Sequence, residues 1–167
     1  GLNVFGSAES QQAMLDHLSA VSRIASGLGA KRLVFGSPKN RDREGLSDEQ
    51  ALNIAKIFFT RLGDIASKQG VIICLEPNPT CYGANFMTTA QETFDVVSAI
   101  NHPAIKMQLD TGAITINQEA ISDILTYAEN QIGHIHISEP SLAVVGDSNA
   151  DHATYAKAIS HILGDEL

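Results

Sequence analysis

The chain of 167 residues carries 11 basic and 19 acidic side chains, a formal net charge of −8, which argues against a domain that grips nucleic-acid phosphates by electrostatics. With 44% hydrophobic and 18% charged residues it has the apolar material for one core of ordinary size, so wholesale disorder is excluded. No apolar run approaches the ~18 to 20 residues needed to cross a bilayer, and the start, Gly1 to Gly6, lacks the features of a secretory signal; the chain reads as soluble and cytoplasmic, with no membrane partner.

Short apolar runs alternate with segments of helical period, the pattern of βα units. Leu2 to Phe5 is the first expected strand. It precedes a helix from about Ser10 to Leu28, in which Met14, Leu15, Leu18, Val21, Ile24, Ala25 and Leu28 recur three and four apart before Gly29. Leu33 to Phe35 form the second strand. After the loop Gly36 to Arg41, Ser47 and Gln50 have capping-box spacing, and Leu52, Ala55, Phe58, Leu62, Ile65 and Ala66 make one apolar stripe that ends at Gly70.

Val71 to Leu75 has no polar alternation, which suits a parallel strand buried on both faces, and it closes on Glu76. Cys74 lies within it and Cys81 in a turn-rich segment, forming neither a CxxC pair nor a disulfide framework. Thr89 and Glu92 form a second capping box ahead of a helix bearing Phe94, Val97, Ser98 and Ile100, punctuated by Pro103. The fourth strand, Ile105 to Leu109, closes on Asp110, and Asn117 is the expected cap of a helix carrying Ile121, Ile124, Leu125 and Ala128. Gly133 to Ser138 is the fifth strand, and a last helix from near Asp151 carries Tyr155, Ala158, Ile159 and Ile162.

One uninterrupted α/β domain over residues 1–167 follows, either an open doubly wound sheet or part of a (β/α)8 barrel. Neither GxGxxG nor GxxxxGK[ST] follows any strand. In both architectures ligands bind beyond the carboxyl ends of the strands, which singles out Glu76, Asp110 and His136. Two carboxylates and an imidazole around one mouth attract a divalent cation. Each has a plainer alternative: Glu76 as a turn cap before Pro77, Asp110 as an Asx turn, and one of His134 and His136 as a packed histidine.

Leu75-Glu76-Pro77-Asn78-Pro79, Tyr82-Gly83-Ala84-Asn85-Phe86, Leu109-Asp110-Thr111-Gly112 and His134-Ile135-His136-Ile137-Ser138-Glu139 resemble the sugar phosphate isomerase/epimerase group of the xylose isomerase-like TIM barrels. The resemblance implies a divalent metal (manganese, magnesium, cobalt or zinc) held by Glu, Asp, His and Glu at four strand ends, the first three matched by Glu76, Asp110 and His136. It also implies a small sugar or sugar phosphate substrate and metal-stabilised proton transfer, with Glu76 as the candidate catalytic residue. The fourth ligand in that group is a glutamate on the closing strand, and no such strand follows the last helix of these 167 residues. Five βα units against the eight and ~250 residues of a full barrel suggest a fragment that lacks front units and the closing strand. Alone, such a piece is expected to be inactive or nearly so, and its open edges favour association, a homo-oligomer included.

Around the mouth, Lys39 and Arg41 are candidates for meeting a substrate phosphate or carboxylate, with a solvated basic loop as the alternative. Asn78, Tyr82, Asn85, His134 and Glu139 are candidate substrate contacts, set against ordinary turn and packing roles. Ketose epimerases of the group place a histidine three residues after the aspartate and an arginine six after the metal histidine; this chain has Ala113 and Leu142 there. Two other readings remain: metal-assisted phosphoester hydrolysis, as in endonuclease IV of the same superfamily, and a non-catalytic carbohydrate-binding barrel.

Overall fold

The computed structural model describes residues 1–163, and side chains through residue 160. Its elements are α1 (Ala8–Gly27), β1 (Arg32–Phe35), α2 (Asp48–Lys68), β2 (Ile72–Leu75), α3 (Ala90–Ile100), β3 (Ile105–Asp110), α4 (Thr111–Asn117), α5 (Ile121–Ala128), β4 (Ile132–His136) and α6 (His152–Leu163). The strands form one parallel sheet in the order β1-β2-β3-β4. Neighbours in space are neighbours in sequence, without the reversal of order that marks a doubly wound sheet, so the sheet is half of a (β/α)8 barrel.

Strand alternation divides the sheet into two faces. Phe35, Ile73, Leu75, Ile105, Met107 and Leu109 belong to the buried core, together with Ala51, Ala55, Phe58, Phe59, Leu62 and Ala66 of α2 and Val96, Val97 and Ile100 of α3. Phe59 anchors this layer, edge-on to both Phe35 (5.4 Å) and Phe58 (5.3 Å). Full burial of each such side chain contributes roughly 1.5–3 kcal/mol. The alternate positions Lys106, Gln108 and Asp110 share the other face, which in a barrel is the interior.

The Ser47–Gln50 capping box forms in both directions. At Thr89 only half of one forms: Thr89 accepts from the Glu92 amide, while the Glu92 carboxylate turns to the amide and hydroxyl of Thr88.

Three expectations are corrected. Leu2 to Phe5 is not a strand: Asn3 Oδ1 accepts from the Phe5 amide and Ser7 caps α1 immediately afterwards, so the segment turns before a ladder can start. Val4 is nonetheless buried, its amide donating to Asn40 O. Asn117 does not open a helix; it closes α4, which Asp110 caps, and α5 starts after Ala120. Ile24 of α1 and Leu28, which caps it, face outward, and the buried stripe narrows to Met14, Leu15, Ser22 and Ala25. Tyr155 and Ile159 of α6 are buried as expected, and the inward placement expected of Ile162 lies outside the described residues. Among the described residues no helix is long and apolar enough to cross a membrane.

Candidate functional site

A cavity of about 370 Å³ opens at the carboxyl ends of β2, β3 and β4. Its polar wall is Glu76, Asn78, Asp110, His136, Ser138 and Glu139, and its apolar wall includes Pro38, Pro77, Ala113 and Leu142.

The sheet register explains the convergence. Asp110 pairs with His136, so both side chains leave neighbouring strands at one level, while Leu75 pairs with Met107 and brings Glu76 alongside Gln108. Ligand atoms of Glu76, Asp110 and His136 all lie within 4.8 Å of one another. His136 Nδ1 is 3.5 Å from Glu76 Oε1 and 3.9 Å from Asp110 Oδ2.

Neighbouring donors hold one oxygen of Asp110 and both oxygens of Glu76. Asp110 Oδ1 accepts from the Ala113 amide (2.7 Å) as the cap of α4 and from Ser138 Oγ (2.9 Å), leaving Oδ2 toward His136. Both the Asx alternative and the convergence expected of Asp110 are therefore present in one residue. Glu76 Oε2 accepts from Asn78 Nδ2 (3.2 Å), and Oε1 accepts from Gln108 Nε2 (2.6 Å). Thr111 locks the rim by donating from Oγ1 to Ser138 O and accepting from Ser138 N, both at 2.8 Å.

Gln108 was not singled out by the sequence. It is fully buried, and its Nε2 also lies 2.5 Å from His136 Nδ1. Strand alternation was the available signal, because Gln108 shares the face of Asp110.

The other candidates separate clearly. Asn78, Tyr82 and Glu139 line the cavity. Tyr82 accepts from the Ser141 amide (2.9 Å) and so ties the loop after β2 to the loop after β4. Glu139 is buried and accepts from the Gly146 and Ala150 amides and His152 Nε2 (2.7 Å), and the Gly146 N–H chiefly holds its carboxyl below the usual range. It is a hub for its own loop, in keeping with the turn and packing role set against substrate contact.

Lys39, Arg41, Asn85 and His134 stand off the cavity wall. Lys39 is exposed on a 3-10 turn, Pro38–Arg41. Arg41 corrects the solvated-loop reading: it is 1% exposed, with Nη1 aimed at Phe35 O (3.5 Å). Burial pushes its guanidinium down to about 10, against the opposing pull of Glu76 and Glu92. Asn85 donates to Asp42 Oδ1 (2.7 Å) and accepts from the Arg43 amide, bracing that loop. His134 lies edge-on to the His136 ring (4.9 Å), and burial is the first cause of its lowered pKa.

The family model described as Xylose isomerase-like TIM barrel matches residues 2–162. The chain belongs to this family. It is 29% identical over 102 residues to an L-ribulose 3-epimerase of Methylomonas sp. (strain DH-1), covering 61% of this chain and 35% of that protein. A D-psicose 3-epimerase of Ruminiclostridium cellulolyticum is 29% identical over 98 residues, 59% of this chain and 33% of the relative. The matched segments thus span about a third of these relatives. The structure of D-psicose 3-epimerase with D-tagatose from Clostridium cellulolyticum H10 superposes with a TM-score of 0.84 at 18% identity, over 98% of this chain and 58% of the other. That likeness is one of fold, and it places the four strands within a xylose isomerase-like barrel.

Proposed function

We propose that this chain supplies the metal-holding part of a sugar epimerase that moves a proton at the carbon next to a ketose carbonyl. The observation that carries the reading is the meeting of Glu76, Asp110 and His136 within 4.8 Å at the ends of successive parallel strands of a family member. Two hard oxygen donors and one imidazole fit manganese, magnesium, cobalt or zinc. Such an ion would supply Lewis-acid stabilisation of the negative charge that develops on the substrate oxygens.

The residues divide the remaining work. Glu76 takes the proton as the C–H bond breaks and the electron pair moves toward the carbonyl oxygen, giving an enediolate; Asn78, donating to Oε2, steadies the carboxylate. Asp110 and His136 hold their orientation through the α4 cap and the sheet. Asn78 and Tyr82 offer hydrogen-bonding groups to sugar hydroxyls. Return of the proton to the opposite face calls for a second acid, the part that the resemblance gives to a glutamate on the closing strand.

No lysine or arginine lines the cavity among the described residues, which favours an unphosphorylated sugar over a sugar phosphate and weighs against phosphoester hydrolysis. Ala113 and Leu142, both on the cavity wall, favour a second reading in which the site binds a carbohydrate without turning it over.

The test is incubation of the whole gene product with ketoses in D2O and Mn2+. Epimerisation with deuterium entering beside the carbonyl, lost in Glu76→Gln, supports the proposal. Saturable ketose binding without exchange at any metal concentration would select the second reading.

A further inference from the structure

We propose that Gln108 is a further protein ligand of the cation, through its side-chain amide oxygen. The inference rests on the metal reading above and adds a donor to it.

Gln108 lies on the interior face of β3, two residues before Asp110, and is fully buried. Its Nε2 lies 2.6 Å from Glu76 Oε1 and 2.5 Å from His136 Nδ1, two of the three groups that face one another across the site. Its Oε1 is buried without a hydrogen-bond partner among the described residues. A buried amide with one end shared between a carboxylate and an imidazole, and the other end unpaired, is half satisfied.

The amide has two orientations, related by half a turn about the Cγ–Cδ bond, and they exchange oxygen and nitrogen. With nitrogen inward, its N–H groups serve the lone pairs of Glu76 and His136. Those lone pairs are the ones a cation would take, and an N–H dipole would then point its positive end at the ion. With oxygen inward, the carbonyl dipole points its negative end there. Carbonyl oxygens of Asn and Gln are ordinary ligands of hard cations. Neighbouring ligands of an octahedral ion with bonds of about 2.1 Å lie roughly 3 Å apart, so the amide, now 2.6 Å from Glu76 Oε1 and 2.5 Å from His136 Nδ1, would draw back by about half an ångström to share the ion with them. Complete burial keeps Gln108 from swinging into solvent, so accommodating the ion turns the amide rather than expelling it.

Cobalt(II) tests this directly, because its visible absorption reports the donor set. Titration of the chain and of Gln108→Leu, with folding checked by circular dichroism in EDTA, is expected to show at least about a tenfold loss of affinity and an altered band in the variant. Gln108→Glu keeps an oxygen at the same reach and is expected to bind as tightly as the wild type or more tightly. The assignment is overturned if Gln108→Leu binds as well as the wild type while Glu76→Gln and His136→Ala bind poorly. Where Gln108→Leu does not fold, weaker binding by folded Gln108→Glu overturns it instead. Unchanged binding in Glu76→Gln and His136→Ala would bring down the metal reading itself, a result distinct from failure at Gln108 alone.

Discussion

The Glu76 carboxylate rests against the bare Cα of Gly36, so that a methyl group at residue 36 would overlap Oε2. Gly36 follows β1, and its lack of a side chain gives Glu76 room to lie beside Gln108 and Asn78. Gly36→Ala is therefore expected to displace the carboxylate. Isothermal titration with Mn2+ should show affinity reduced at least about tenfold in the variant. The overlap is with the far end of a side chain that can turn aside, so stability in urea unfolding should change by less than about 1 kcal/mol. Wild-type affinity in Gly36→Ala would mean that Glu76 takes no part in holding the ion.

Glu139 gives the loop after β4 a pH dependence. Its carboxyl is held below the ordinary glutamate range, first by the Gly146 N–H and also by His152 and the Ala150 N–H. A depressed folded-state pKa means that the stabilisation is present above about pH 4.5 and is lost as pH falls through the lower folded value. Thermal melts should place the wild type above Glu139→Gln from neutral pH down to about pH 5, with the gap closing in more acid solution. A gap that stays constant throughout would show that the charge of Glu139 is not what ties down the loop.

The two cysteines should differ sharply in reactivity. Burial pushes the Cys74 thiol up to about 11, whereas Cys81 is exposed. Iodoacetamide at pH 8 is expected to add one label to the native chain, mapped to Cys81 by peptide mass spectrometry, and two after denaturation. Rapid native labelling of Cys74 would show that the inner face of β2 opens readily.

Much of the fold could be read from the sequence because its signals were redundant. β2 is an apolar run ending in a carboxylate, and α2 combines a complete capping box with a stripe of helical period. Leu2 to Phe5 misled because four apolar-rich residues carry no period, and the local hydrogen bonds of Asn3 and Ser7 decide their conformation. At the site, Glu76, Asp110 and His136 stood out as polar residues closing apolar strands, a pattern tied to the barrel's ligand-binding end. The burial of Arg41, a candidate in the sequence, and the place of Gln108, which alternation along β3 alone could suggest, were harder to read. Their places depend on how a 3-10 turn tucks beneath β1 and on which face of β3 turns inward, tertiary facts that composition does not carry.

The outer layer of the half-barrel depends on Phe59, which is fully buried and makes edge-on contacts with Phe35 and Phe58. Phe59→Ala is expected to cost about 3–5 kcal/mol in urea unfolding, through lost burial and the cavity left behind. A loss below about 1 kcal/mol would mean that α2 is not docked on the sheet through this residue.

Anomalous diffraction at the manganese edge, from crystals grown with Mn2+, tests the central claim most directly. The expected result is a single strong peak within bonding distance of Glu76, Asp110 and His136. A peak elsewhere on the chain, or none beside these three at saturating Mn2+, would contradict it.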